Sequence, residues 1–200
     1  EVVAVFENSV SPLATKENST AFLAKKHNIP LYRAKEKLLD IPEIDFILSI
    51  QYGQILAQQE IEKARIMAVN LHMAPLPDYR GCNQFSFSII EEAKEFGTTL
   101  HQLEPKTDAG AIIFEKRFNI LPNEFVTNLY DRTVEASIQL FKEKIKDILE
   151  GNFKLVKQES LLNERSCSFH FRNEINNLKK IDASWPSEKQ KRYFRATYFP

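Results

Sequence analysis

Apolar positions along the chain fall into several strand-sized runs and one long helical stripe, separated by polar or Pro/Gly-bearing breaks. Residues 2–6 are β-branched and aromatic, are ended by Glu7-Asn8-Ser9, and predict a strand. Pro12 and the polar residues up to Ser19 predict a loop. Asn18 or Ser19 then caps a helix over 20–27 that Asn28-Ile29-Pro30 stops. A charged stretch after Tyr32 reads as a second short helix ending near Asp40-Ile41-Pro42. Residues 46–50 (F-I-L-S-I) are apolar on both faces, the pattern of a central parallel strand covered on both sides. Gln51-Tyr52-Gly53-Gln54 breaks that run at its carboxyl end, the edge where open α/β sheets take ligands. A short helix over 55–63 and a strand over 66–71 follow.

Helical spacing returns at 83–95, with Phe87 and Ile90 on one stripe and Phe85, Ile89 and Ala93 on another, and Gly97 as its stop. Residues 98–103 and 111–120 are strand-like and flank a turn at 105–110, so they are expected to pair as a hairpin. Asn123 opens the longest helix. Its apolar positions Val126, Tyr130, Val134, Ile138, Phe141, Ile145 and Leu149 recur every three or four residues and read as core, and Gly151 closes it. Beyond lie strand candidates at 153–158 and 167–171, then a polar stretch, 172–191, holding the single Trp, Trp185. The order is α/β over residues 1–150, with a small α+β appendage over 151–200.

Two hundred residues with 43% hydrophobic content suggest one compact domain with room for a core. Twenty-seven basic and 27 acidic residues balance, which argues against a broad nucleic-acid footprint and leaves only a local patch open. No apolar run approaches the ~20 residues that cross a bilayer, and no signal peptide is visible. Cys82 and Cys167 lack metal-site spacing and are too few for a disulfide framework. They read as small buried or half-buried residues in a cytoplasmic protein. The chain begins without Met directly at a strand and stops in mid-phrase at Tyr198-Phe199-Pro200, so both ends look cut.

Candidate chemistry concentrates in residues 69–84, V-N-L-H-M-A-P-L-P-D-Y-R-G-C-N-Q. Asn70 and His72 stand two apart at the end of a strand and so face one side of it. A histidine with an ordinary pKa near ~6.5 exchanges protons at neutral pH. An Asn amide can donate to an oxygen that becomes negative, and the carboxylate of Asp108 in T-D-A-G can orient the imidazole. That set suits acyl transfer to an amine, with no Ser or Cys nucleophile required. Prolines at 75 and 77 stiffen the loop, and Gly81, Arg80 and the start of the next helix suit an anion. Each residue alone also has a plain structural reading. Asp108 is a good turn former, Asn70 could bond a loop, and His101 could be core or support the other two. Only the ordered combination points to a site.

N-x-H, then L-P-x-Y-R-G, G-T-T-x-H and D-x-G-x-I, spread over residues 69–120, resembles the formyltransferases that use 10-formyltetrahydrofolate. The resemblance implies a doubly wound, mostly parallel sheet and places Asn70, His72 and Asp108 at the family's catalytic positions. It maps the cofactor's pteridine to Ile50, Tyr52, Gln54, Ile55 and Leu103, and implies no metal. The fuller string N-L-H-M-A-P-L-P-D-Y-R-G-C-N-Q-F-S-F, with F-H-F-R-N-E-I-N-N-L-K-K-I-D and R-A-T-Y-F-P near the end, is similar to the branch that formylates nucleotide-linked amino sugars. Within that branch it looks most like the dTDP-4-amino-4,6-dideoxyglucose N-formyltransferases of bacterial surface-polysaccharide (O-antigen) pathways. Met73, Arg80, Asn83 and Gln84 would then meet the sugar or phosphates. Trp185 and Arg195 would serve nucleotide contacts or a homodimer interface, Trp185 having a plain packing reading as well. The resemblance implies no nucleic-acid or membrane partner. A first strand and helix that precede Glu1 in the family are absent here. The alternatives are glycinamide ribonucleotide formyltransferase, the initiator-tRNA enzyme (which usually adds a basic domain), a formyltetrahydrofolate hydrolase, and a non-catalytic nucleotide-binding module.

Overall fold

The structure, a computed structural model, describes residues 1–7 and 19–198. The loop expected around Pro12, the alternative cap Asn18 and the last two tail residues lie outside the described residues. The fold is α/β, and the chain divides into two compact units, Glu1–Val69 and Asn70–Pro200.

In the first unit, β1 (Val5–Phe6) pairs in parallel with β2 (Leu31–Tyr32), and Phe6 stacks on Tyr32. Between them α1 (Thr20–Lys26) begins at Ser19, whose Oγ accepts the Phe22 N–H at 3.2 Å, the cap read from the sequence. The charged stretch forms a short 3-10 helix, Lys35–Asp40. Its Lys35 reaches Glu60 at 3.0 Å, and Glu60 also accepts the Ala57 N–H that opens α2 (Gln58–Ile61). A buried carboxylate is thus satisfied by a cation and a helix start together. β3 (Ile44–Ile50) lies beside β4 (Ala64–His72), whose last three residues belong to the second unit. Leu48 and Ile50 are exposed, so β3 is not covered on both faces among the described residues as its composition suggested. An apolar run reports what a strand avoids; it does not supply the cover.

In the second unit the end of β4, β6 (Glu95–Gln102) and β7 (Ile112–Asn119) are neighbours in that order. β6 and β7 form the expected antiparallel hairpin, from Glu95↔Asn119 to His101↔Ile112, with a bulge between Leu100 and His101. β5 (Arg80–Gly81) pairs in parallel with β8 (Phe169–His170). Phe96 is fully buried and packs against Tyr79, Phe85 and Phe118. A side chain of that size stabilises by about 1.5–3 kcal/mol when buried. The same cluster takes Ile89 from α3 (Gln84–Ile90), Val126 and Leu129 from α4 (Val126–Glu150) and Ala196 from α6 (Ser187–Thr197). The tail, read as a polar stretch, therefore ends in a helix docked into this unit's core; a short helix, α5 (Ile175–Leu178), precedes it.

Three sequence expectations need correction. Gly97 does not stop α3, which ends at Ile90 with Glu91 as its C-cap; it sits in β6, where a Cβ would stand 2.4 Å from the Lys116 carbonyl oxygen. The glycine is required by close strand approach, not by a helix end. Asn123 is not the cap of α4 but a left-handed turn residue (φ 58°) two positions before the N-cap Phe125, while Gly151 (φ 77°) does close the helix. The buried face of α4 is Val126, Leu129, Thr133, Ala136, Ser137, Leu140 and Ile148, whereas Ile138 and Leu149 are 49% and 51% exposed. Thr133 Oγ1 donates to the Leu129 carbonyl at 2.6 Å, and Ser137 Oγ lies 2.7 Å from the Thr133 carbonyl. Satisfying their hydroxyls on the helix itself lets these polar residues turn inward, which an apolar count misses. Among the described residues no helix is long and apolar enough to cross a membrane.

Candidate active site

The carboxyl end of β4 is held in place by the two threonines of G-T-T. Thr98 Oγ1 donates to the His72 carbonyl at 3.1 Å, and Ser137 Oγ of α4 lies 2.9 Å from the same hydroxyl. Thr99 Oγ1 donates to the Ala74 carbonyl at 2.8 Å and accepts the Leu76 N–H at 3.2 Å. All three hydroxyl-bearing residues are buried. Polar groups with fixed partners in a dry interior define one backbone position.

His72 is buried between two oxygens. Its Nε2 lies 3.0 Å from the Tyr79 carbonyl, which can only accept, so Nε2 carries the proton in the neutral ring. Nδ1 is then a free lone pair, 3.6 Å from Asp108 Oδ2. Burial pushes the His72 pKa below the ordinary imidazole value, opposed by the Asp108 charge and the Tyr79 carbonyl. Asp108 sits in the left-handed region (φ 50°) with a nearly buried side chain. Its Oδ2 accepts the Gly81 N–H at 2.9 Å, and its Oδ1 lies 3.6 Å from His101 Nε2. Burial alone would raise this carboxyl, but the neighbouring His101 and His72 rings, whenever protonated, and the Gly81 amide outweigh it and hold the pKa below the usual carboxylate value.

His101 joins the group as a third partner. Its Nδ1 lies 2.7 Å from the Gln102 carbonyl and so bears a proton, which leaves Nε2 to accept from Asn70 Nδ2 at 3.1 Å. That bond orients the Asn70 amide. Among the described residues the second N–H of Asn70 makes no hydrogen bond, and it can meet a developing oxyanion. Asn70, His72, His101 and Asp108 thus form one connected cluster. A neutral imidazole lone pair beside a carboxylate can take a proton, and an oriented amide can stabilise negative charge on a carbonyl oxygen.

The remaining candidates are not among the four residues of that cluster. Gly81, in the left-handed region (φ 85°), gives its N–H to Asp108, so that amide is committed inside the site and not offered to an outside anion. Arg80 is half-buried beside it, with no partner for its buried Nε among the described residues. Met73 is buried one residue beyond His72. Asn83 is left-handed (φ 61°) and its Nδ2 donates to the Phe171 and Arg172 carbonyls; the half-buried Gln84 opens α3. Leu103 is half-buried after β6. In the first unit Ile50 is exposed and Ile55 is 72% exposed, while the Tyr52 hydroxyl donates to Gln54 at 3.5 Å. Trp185 packs edge-on against Tyr193 with Lys189 Nζ 3.9 Å above its ring; Arg195 lies on α6 beside the buried Ala196. Among the described residues no contact joins Trp185 or Arg195 to the cluster at Asp108.

Several supporting residues carried no sequence signal. Ser168 Oγ accepts the Tyr79 N–H at 2.8 Å, fixing the peptide whose carbonyl orients His72. Arg165 donates to the Leu76 carbonyl at 3.1 Å and grips Glu115 with two bonds of 2.6 and 2.9 Å. Ser166 bonds Asp78, and Gln158 bonds the Asp108 turn. Their partners lie roughly half the chain or less away in sequence, beyond the reach of any motif. Cys82 is half-buried next to β5, while Cys167 is exposed, contrary to its expected burial; both are free thiols.

A family model described as formyl transferase matches residues 5–145. The methionyl-tRNA formyltransferase of Staphylococcus aureus (strain JH1) is 32% identical over 124 residues, which are 62% of this chain and 40% of that protein. The chain thus spans less than half the length of that curated relative. Among solved structures, the N-formyltransferase from Helicobacter canadensis in complex with folinic acid and dTDP-3-aminofucose aligns with a TM-score of 0.77 at 26% identity, covering 94% of this chain and 66% of that one. WlaRD, a sugar 3N-formyl transferase in the presence of dTDP and 5-N-formyl-THF, aligns at a TM-score of 0.74 and 26% identity, covering 91% and 64%.

Proposed function

The chain belongs to the formyl transferase family, and from that premise we propose that it moves the formyl group of 10-formyltetrahydrofolate to the amino group of a nucleotide-linked amino sugar. The observation that carries the reading is the connected cluster of Asn70, His72, His101 and Asp108 at the end of β4. The acceptor amine attacks the formyl carbon, and the carbonyl oxygen becomes negative. The free N–H of Asn70 donates to that oxyanion. The surplus amine proton goes to His72 Nδ1, the only ring atom not already engaged, and the resulting imidazolium is paired by Asp108. Collapse of the adduct breaks the bond to the folate N10, which receives the proton. Burial favours this cycle by keeping His72 neutral at rest, while the low pKa of Asp108 keeps a negative charge ready for the imidazolium.

Asn70, His72 and Asp108 are accordingly assigned to catalysis. Ile50, Tyr52, Gln54, Ile55 and Leu103 are proposed for the folate. The exposed side chains of Ile50 and Ile55 suit the apolar face of a flat ring. Arg80, whose buried Nε has no partner among the described residues, Asn83, Gln84 and Met73 are proposed for the sugar and phosphates, and Trp185 and Arg195 for the nucleotide or a homodimer contact. For the acceptor we propose dTDP-4-amino-4,6-dideoxyglucose, made in the cytoplasm for surface polysaccharide; the residues 69–87 and the tail motif support the sugar branch. The curated relative favours a second reading, formylation of methionyl-tRNA. The balance of 27 basic and 27 acidic residues weighs against it. A formyl-transfer assay decides: purified protein with 10-formyltetrahydrofolate against dTDP-, UDP- and GDP-linked amino sugars, glycinamide ribonucleotide, methionyl-tRNA and no acceptor. Formylated dTDP-sugar supports the proposal. Transfer only to tRNA or glycinamide ribonucleotide, or deformylation without an amine, sinks it.

A further inference from the structure

Asp108 occupies an unfavourable backbone position, and something must hold it there. Its φ of 50° is left-handed, and Gly110 two residues on is so close to the end of β6 that a Cβ would stand 2.0 Å from the Gln102 carbonyl oxygen. The turn has few bonds of its own; Ala109 N–H reaches the Lys106 carbonyl at 3.3 Å. Its firmest ties come from fifty residues away. Gln158 Nε2 lies 2.8 Å from the Asp108 carbonyl and 2.8 Å from the Gly110 carbonyl. Both amide hydrogens are committed to this turn, because the reverse orientation would set Oε1 against two carbonyl oxygens. Gln158 is itself only 3% exposed, and it begins a 3-10 turn just after Val156, whose backbone bridges Ile112 with bonds of 2.8 and 2.9 Å. Its Oε1 is buried without a partner among the described residues. A position serving packing alone would favour an apolar residue here, since a half-satisfied buried amide is destabilising.

We propose that Gln158 is a positioning residue for formyl transfer, acting through the Asp108 turn. One carboxylate faces His72 and His101 at 3.6 Å each while accepting the Gly81 amide at 2.9 Å. Those three relations are set by where the Asp108 backbone stands, and Gln158 pins the carbonyls on either side of Ala109. The inference rests on the formyl-transfer reading for its kinetic consequence and on geometry alone for its structural one. Loss of the two donors lets the carboxylate drift, and a displacement of about 1 Å in a catalytic group is enough to lower turnover up to ~100-fold.

The test uses two variants of the full chain. Gln158→Met keeps the length and removes both donors; Gln158→Asn keeps the donors but withdraws them by one methylene. Steady-state transfer to dTDP-4-amino-4,6-dideoxyglucose is measured with the His72 imidazole titration followed by NMR, and folding is checked by thermal melt. In the Met variant kcat is expected to fall about 10- to 100-fold with KM for both substrates within about threefold, and in the Asn variant to fall less. The His72 midpoint is expected to move further down in both, because Asp108 no longer opposes burial as closely. Should the Met variant fail to fold, the Asn variant carries the test. Wild-type kcat within twofold in a folded variant overturns the proposal, as does a reduced kcat with an unmoved His72 midpoint, which would mark Gln158 as an anchor of the C-terminal segment only. If the wild type transfers no formyl group, the functional reading fails while the His72 titration still tests the role of Gln158.

Discussion

Two regions of the second unit meet at Asp108, and they differ in kind. Residues 70–81 and 97–110 hold the groups proposed for the chemistry, on strand ends and tight turns, with each of those groups named by a compact motif. Residues 156–172 carry none of it. Instead they place Gln158 on the Asp108 turn, Arg165 on Leu76, Ser166 on Asp78, Ser168 on Tyr79 and the β8 backbone against β5. Reactive groups must point into a shared space and so leave few of their own bonds for support; the support then comes from elsewhere in the chain. The C-terminal segment is therefore part of how the site holds its shape, and α6, through Ala196, fastens its far end in the core.

That division can be broken most sharply at the chemical end. Asn70→Ala or His72→Ala is expected to lower kcat by two or more orders of magnitude while folate binding, read by calorimetry, persists. A near-wild-type rate for either would remove that residue from the mechanism. Asp108→Asn should cost about 100-fold and move the acid limb of the kcat/KM profile lower, since the charge that raises the His72 pKa is gone. An unchanged limb would reduce Asp108 to a turn former.

At the supporting end the effects should be smaller and should fall on stability first. Arg165→Ala leaves the Leu76 carbonyl and a half-buried Glu115 with only their longer bonds to Arg117, and about 1–3 kcal/mol of stability should be lost in urea titration, with kcat down by less than about tenfold. A loss of 100-fold with unchanged stability would mean that Arg165 touches substrate. The pH dependence of folding tests the burial of His72. Its pKa is depressed from 6.5, so the unfolded chain binds the proton first and stability falls as pH drops from 6.5 through the folded value. Asp108, depressed from 3.8, adds a further loss only at more acid pH. His72→Asn should therefore show a smaller decline in urea midpoint between pH 7 and 5 than the wild type; an equal decline would place the sensitive group elsewhere. Smallest of all, Trp185→Ala should lower the melting temperature by a few degrees through lost packing on Tyr193. A raised KM for the nucleotide sugar would instead give Trp185 a binding role.

The sequence was legible where a local rule governs. Ser19 caps α1, Gly151 closes α4, and the hairpin of β6 and β7 follows from two alternating runs around a turn. It misled where distant chain decides. Gly97 looked like a helix stop because its contact with Lys116 lies across the hairpin. The face of α4 was misread because Thr133 and Ser137 satisfy their hydroxyls on the helix and turn inward. The polar tail concealed α6, whose burial rests on a single fully covered residue, Ala196.

By itself, the sequence determined the chemical inventory: an amide and an imidazole two apart on a strand, and a carboxylate in a turn, in an order specific enough to name a family. Only the tertiary structure decided which atoms serve. Tyr79 claims His72 Nε2 and leaves Nδ1, His101 claims one Asn70 hydrogen and leaves the other, and Gln158 sets where Asp108 stands. The reason is physical. Residue type fixes what a side chain can donate or accept, but a hydrogen bond forms only between atoms brought within about 3 Å, and that approach is set by the folded path of the whole unit.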